Sequence, residues 1–208
     1  MSKRVMVVGE GPHEIGREGD AYPPALTTLL HRLLDEPDRV CYDSSIYRWK
    51  DLKHAIGRGS RSIKKVMWAI ERAQKEGFDA VVILADQDRL SPKERAEQLA
   101  EGRDEMKNST KAQYPSCAVG VAVEAFDAWM ICDQKAIKAA GGNPDKFTSR
   151  PEDEKKPKKK AADIFNCPPD GTGLGQYYPV VAREIAARED GLEQLRERCP
   201  QRLWRVCR

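Results

Sequence analysis

The sequence has no apolar run approaching the roughly 18 residues that a membrane-spanning helix requires, so no span is expected. Histidine is scarce, three residues in 208, and the six cysteines (Cys41, Cys117, Cys132, Cys167, Cys199 and Cys207) form no Cys-x-x-Cys pair. Structural zinc sites need clustered thiolate and imidazole donors, and none is expected here. Cys41 and Cys117 sit in strand-like apolar runs, where a free thiol behaves as a small buried hydrophobe; this reading points to a reducing, cytoplasmic setting. There is no Gly-x-Ser-x-Gly elbow, which argues against a serine hydrolase of that type. The glycine-rich stretch Gly171-Thr172-Gly173-Leu174-Gly175 follows no strand and leads into no Gly-Lys-Ser, so it reads as a flexible turn and not a phosphate loop. The opening residues MSKRVMVVGEGPHE enter a strand at once and lack a long apolar stretch with a small-residue cleavage site, so no signal peptide is expected. Net charge is small as well: 36 Lys and Arg against 33 Asp and Glu give +3, too little to imply a polyanion partner without a local concentration.

What is present is a chain long enough to bury its own core, with 33% charged residues and a slightly low 40% hydrophobic content. The β-branched run Arg4–Gly9 predicts a buried strand. A loop, Glu10–Tyr22, leads to a helix over Pro24–Leu34, and Arg39–Tyr42 reads as a second strand. Ile63, Val66, Met67, Ile70 and Ala73 recur at helical spacing, and Gly77 ends that helix. Asp79–Ala85 is the strongest strand, followed by a charged helix over Pro92–Lys107. A fourth strand, Cys117–Val123, runs directly into a helix over Ala125–Cys132. Strands alternating with helices, each strand continuously apolar, predict an α/β fold: a Rossmann-like parallel sheet flanked by helices. Residues 1–142 form this core. Residues 143–208 read as a charged, proline-interrupted mobile loop (143–160) and a helical C-terminal extension over Tyr177 to about Arg198, with a short last element at Leu203–Cys207, packed on the core or on a partner.

Three of these strands end in acids. The first ends in Gly9-Glu10-Gly11 with Glu14 shortly after, the strongest in Asp86-Gln87-Asp88, and the fourth in Glu124. In a parallel sheet those ends share one edge, so the carboxylates can converge. Like charges held close disfavour ionisation unless a cation joins them, and hard divalent ions take oxygen donors, with Mg²⁺ keeping waters for substrate phosphates. Alternate residues of an extended Asp-x-Asp point the same way, which suits shared ligation. Asp133 reads as a helix N-cap, and Asp127 fits either a ligand or a structural role.

These residues resemble the TOPRIM fold of topoisomerases, bacterial primases and overcoming-lysogenisation-defect nucleases. More narrowly, Val8-Gly9-Glu10-Gly11-Pro12-His13-Glu14, Leu84-Ala85-Asp86-Gln87-Asp88 and Val123-Glu124-Ala125-Phe126-Asp127-Ala128-Trp129 look like the stand-alone, TOPRIM-like RloB-type proteins found beside AAA-type ATPases in bacterial defence islands. The tail is similar too, with Pro157-Lys158 before a helix, a Tyr-led helix and Arg198-Cys199-Pro200. The resemblance implies a nuclease subunit dependent on Mg²⁺ or Mn²⁺, with Glu10, Asp86 and Asp88 as ligands or acid–base groups and Glu124 completing the shell; Glu14 is a further metal-ligand candidate from its place after the first strand, in a loop longer and more acidic than the family pattern. It also implies Lys158 as the phosphate-stabilising lysine, a setting in antiphage defence, an ATPase partner and a DNA or RNA substrate.

Two other readings use the same residues: a non-catalytic interaction module docking on an ATPase, and a metal-dependent nucleotide hydrolase or phosphotransferase. Haloacid-dehalogenase phosphatases carry Asp-x-Asp after the first strand, and glycosyltransferases need a donor-sugar domain for which nothing else here argues. Basic surface is available at Arg48, Lys50, Lys53, His54, Arg58, Arg61, Lys64 and Lys65, where Tyr47 and Trp49 could stack bases, and at Lys155, Lys156, Lys158, Lys159 and Lys160. The sequence leaves a homo-oligomer open.

Overall fold

Period-two alternation with both faces apolar builds the sheet. In β1 (Lys3–Val8) Val5 and Val7 face one side while Met6 and Val8 face the other, and all four are buried. In the computed structural model, which describes residues 3–16, 23–33, 40–43, 47–56, 58–109, 114–122 and 126–199, β1 is joined by β2 (Val40–Asp43), β3 (Ala80–Asp86) and β4 (Ser116–Ala122). All pairings are parallel, in the order β2-β1-β3-β4. Val8 pairs with Ile83 and Asp86 with Ala122, so the ends of β1, β3 and β4 lie along one edge. The expected α/β sheet covered on both faces is present.

One face is covered by α3 (Arg61–Lys75) and α4 (Pro92–Ser109). Ser60 caps α3 by accepting from the Ile63 N–H, Ile63, Val66, Ile70 and Ala73 turn inward, and Gly77 at φ +71 follows its end. The other face is covered by α2 (Ala25–Arg32), α5 (Phe126–Met130), α6 (Gln134–Ala139), α7 (Pro157–Ile164), α8 (Tyr178–Ala187) and α9 (Gly191–Arg198). Asp133 caps α6 through the Ala136 N–H at 2.8 Å, as its position in the sequence suggested. No helix among the described residues is long and apolar enough to cross a membrane.

The structure departs from the sequence reading in several places. A four-residue helix, α1 (Pro12–Ile15), occupies the expected loop after β1. Residues 143–160 are not an irregular loop: Pro144, Pro151 and Pro157 each open a short helical turn, because the first turn of a helix has no use for the N–H that proline lacks. Pro151, Glu152 and Pro157 are buried. The expected single tail helix is two, α8 and α9, broken where Arg188 turns extended (φ −91, ψ 143) and its guanidinium pairs with the buried Asp133 carboxylate. The turn at 171–175 is also ordered, with Leu174 in the core. The expected element at Leu203–Cys207 lies outside the described residues.

The two helices on the α3 face approach at Gly102. A Cβ there would stand 2.7 Å from the Ile63 carbonyl oxygen, a backbone atom that cannot swing away. Replacing a mid-helix glycine by alanine ordinarily gains about 1 kcal/mol in propensity, whereas overpacking costs about 1–3 kcal/mol. Gly102→Ala is therefore expected to lower the melting temperature by a few degrees; a rise would show that α3 and α4 separate freely.

Candidate active site

Glycine makes the first turn of the site. Gly9 is buried at the end of β1, and a Cβ on it would lie 2.6 Å from Glu14 Oε2 and 2.7 Å from Ile15 Cγ2. Without a side chain there, α1 folds back under the strand end, and Glu14 Oε2 accepts the Glu10 N–H at 2.5 Å. The Glu10 side chain crosses to the neighbouring strand, where its Oε1 accepts the Asp86 N–H at 3.2 Å. Asp86, the last residue of β3, accepts the Phe126 N–H at 3.2 Å, at the start of α5. Asp127, next along, is buried and accepts from the Tyr178 hydroxyl. Glu14, Glu10 and Asp86 are thus linked in series through backbone N–H groups, and Asp127 follows the Phe126 N–H that Asp86 accepts.

Their proximity is legible in their protonation. Burial pushes Asp86 up to about 7, the Glu10 charge adding to the effect, while the Phe126 N–H and the Lys158 ammonium oppose it. Burial also raises Glu10, against the Asp86 N–H and the Arg95 guanidinium, with Asp88 adding repulsion. Glu14, at 6% exposure, is held well above the carboxylate range by burial and by the Asp86 charge. Glu14 is the deep member of the group, and Glu10 and Asp86 are the partly exposed pair at the rim.

Asp88 is brought near Glu10, but not for the anticipated reason. It lies beyond the strand in a turn at φ +61, so it does not alternate with Asp86 on an extended segment. Lys158 lies on α7, exposed, close enough for Asp86 to feel its charge. Gly171 (φ +83) makes room for its stem: a Cβ there would be 2.9 Å from Lys158 Cγ. Glu124 lies outside the described residues. Tyr47 and Trp49, expected to stack bases, are both 5% exposed and belong to the core beneath α3, and Lys65 is buried with them. Burial removes all three from any ligand-facing surface.

Those same residues supply what the sequence reading missed. Lys65 Nζ donates to the Trp49 carbonyl at 2.5 Å and lies 5.1 Å from the Trp49 ring centre. Arg95, 4% exposed, stands 5.1 Å from the same ring, donates to Ser62 Oγ at 2.8 Å and brings Nη2 to 3.6 Å from Glu10 Oε1. Burial lowers the Lys65 pKa against the pull of Glu10. Two buried cations on an indole therefore sit beside the acids, Arg95 approaching the same Glu10 oxygen that accepts the Asp86 N–H. Arg95 was invisible in a helix where charged neighbours such as Lys93 and Glu94 look the same in sequence and are exposed.

The donor set is all carboxylate oxygen, with no thiolate or imidazole, which suits a hard divalent ion. Among the described residues no three His, Cys, Asp or Glu side chains are gathered around one point as they stand. Mg²⁺, however, commonly takes only one or two carboxylates with water and substrate oxygens. Glu10 and Asp86 fit that requirement, each giving one oxygen to a backbone N–H.

Residues 18–203 match a family model described as a domain of unknown function, DUF4276. The chain belongs to the DUF4276 family. Within it the match includes Asp86, Asp88 and Lys158 and begins after Glu10 and Glu14. No curated protein and no solved structure matches this DUF4276 chain.

The raised Asp86 pKa has a fixed sign. Between the ordinary value of 3.8 and about 7 the folded chain holds a proton that the unfolded chain has released, so stability falls as pH rises through that window. The full shift corresponds to about 4 kcal/mol, an upper figure because Glu10 and Glu14 share the repulsion. In a chelator-containing buffer the melting temperature is expected to fall from pH 4 to pH 8. Asp86→Asn should flatten that fall and raise the melting temperature at pH 8 by about 5–10 °C. A pH-independent wild type contradicts the burial of charge at this position.

Proposed function

We propose that this protein is a divalent-metal-dependent nuclease that hydrolyses phosphodiester bonds at the sheet edge formed by β1 and β3. The observation that carries the reading is the pairing of Glu10 with Asp86, two acids from sequence-distant strands joined by the Asp86 N–H at 3.2 Å and both raised in pKa by burial. Repelling carboxylates at a partly exposed rim are costly in isolation and favourable around a cation.

Glu10 and Asp86 would hold Mg²⁺ or Mn²⁺, with Asp88 and Glu124 as further donors and Glu14 orienting Glu10 from below through its backbone N–H. When bound, the ion supplies Lewis-acid polarisation of the phosphate and a water more easily deprotonated. The remaining work belongs to the chain. Arg95 and Lys65 favour the ionised form of Glu10, so that it can accept a hydrogen bond or a proton from the attacking water. The Phe126 N–H keeps Asp86 turned toward the rim. Lys158, exposed on α7, is free to meet a non-bridging phosphate oxygen and neutralise charge that develops there. The resemblance to RloB-type proteins adds the setting: defence against phage, with an AAA-type ATPase partner governing when the nuclease acts.

Incubation of the purified protein with Mg²⁺ or Mn²⁺ and labelled DNA, RNA or tRNA tests the reading. Cleavage is expected, abolished by EDTA and reduced more than about 100-fold in Asp86→Ala, with Lys158→Ala less affected. Nucleotide turnover without polymer cleavage would instead identify a nucleotide hydrolase, and cleavage that survives Asp86→Ala would remove the site from the chemistry.

A further inference from the structure

Among the described residues Ile56 is the most exposed large apolar side chain, at 101%, against 41% for Leu33, the other exposed large hydrophobic. A lone exposed isoleucine usually means nothing. This one differs in where it stands, in what surrounds it and in how firmly its stem is held.

The stem is tied to the acidic site. The Trp49 N–H donates to the Gly9 carbonyl at 2.7 Å, one residue before Glu10, and Lys65 returns from α3 to hold the Trp49 carbonyl. The Ala55 N–H donates to the Lys64 carbonyl at 3.0 Å. On the far side Gly59, at φ +101, stands where a Cβ would lie 2.9 Å from the Ile63 side chain, and Ser60 both caps α3 and donates to Gln98 on α4 at 3.0 Å. The tip is therefore presented from a braced base. Its charge is of one sign: from Leu52 to Ile70 there is no Asp or Glu, while Lys53, Arg58 and Arg61 are exposed.

We propose that this segment, with Ile56 at its tip and Lys53 and Arg58 beside it, is a nucleic-acid wedge that inserts Ile56 between adjacent bases while the two cations hold the flanking phosphates. Apolar side chains are used in this way to unstack and kink a duplex, with basic neighbours on the backbone. A basic loop with an apolar tip also suits an anionic membrane surface. Nucleic acid is favoured because the stem is bonded through the Trp49 N–H to the end of β1, the strand that leads into Glu10. For its substrate class the inference rests on the proposed phosphodiester site. It extends that reading from a cutting site to a substrate that must be locally unstacked.

The test uses the full chain in EDTA, so that binding is read apart from cleavage. The probes are a fluorescein-labelled DNA duplex and an RNA duplex of the same sequence, each with a central 2-aminopurine. Wild type is expected to bind and to raise 2-aminopurine emission. Ile56→Ser should abolish that rise and weaken binding about 10-fold without changing its salt dependence. Lys53→Gln with Arg58→Gln should lower the slope of log affinity against log salt by about 2. All three positions are exposed, and matching thermal melts establish that the variants are folded. Loop variants that bind and unstack like wild type overturn the proposal. So does a wild type that ignores both duplexes, whether or not it binds phosphatidylserine vesicles. Ile56-dependent binding without any metal-dependent cleavage would leave the wedge standing and remove the nuclease; cleavage with loop-independent binding would do the reverse.

Discussion

The structure turns on the adjacency of β1 and β3. Because these strands are parallel neighbours, Glu10 and Asp86, 76 residues apart in sequence, end at the same edge. Every feature around them serves to make that meeting tolerable. Backbone N–H groups of Glu10, Asp86 and Phe126 each face a carboxylate oxygen, and hydrogen bonds to an ionised acceptor are the strong kind. They do not cancel the repulsion, since burial still raises Glu10, Glu14 and Asp86 together. A group of acids left in that condition is poised to take up protons or a cation.

The compensating charge meets Glu10 at the oxygen that also accepts the Asp86 N–H. Arg95 and Lys65 are buried over Trp49, and Glu10 is the acid within salt-bridge distance of Arg95 among the described residues. A buried guanidinium stripped of its partner costs several kcal/mol. Glu10 therefore belongs to two systems at once, the acidic rim and the cationic cluster beneath it. This double membership sets Glu10 apart from Asp86, whose surroundings are a backbone N–H, other acids and the Lys158 charge.

Much of this was legible from the residues. Continuous apolar runs separated by helical periodicity gave the parallel sheet, and a glycine-bracketed acid after one strand with Asp-x-Asp after another gave the pair that the fold unites. Asp133 was recognisable as a cap because capping depends on local spacing. What escaped the sequence depends on tertiary contact. Nothing in Pro92–Lys107 marks Arg95 as the residue that turns inward, and Tyr47 and Trp49 look like base-stacking aromatics until α3 is seen to cover them. The prolines of 144–157 look like breakers in the sequence yet start helical turns, an ambiguity of proline itself. Asp88 is close to Glu10 through a left-handed turn that spacing does not reveal.

In the proposed site the carboxylates of Glu10 and Asp86 share one divalent cation. Crystals of the protein soaked in Mn²⁺ and recorded at the manganese absorption edge address it directly. The expected result is an anomalous peak bonded to one oxygen of each residue at about 2.1 Å, the remaining positions filled by water. A manganese ion bound elsewhere, or none at all with the two side chains unmoved, would contradict it.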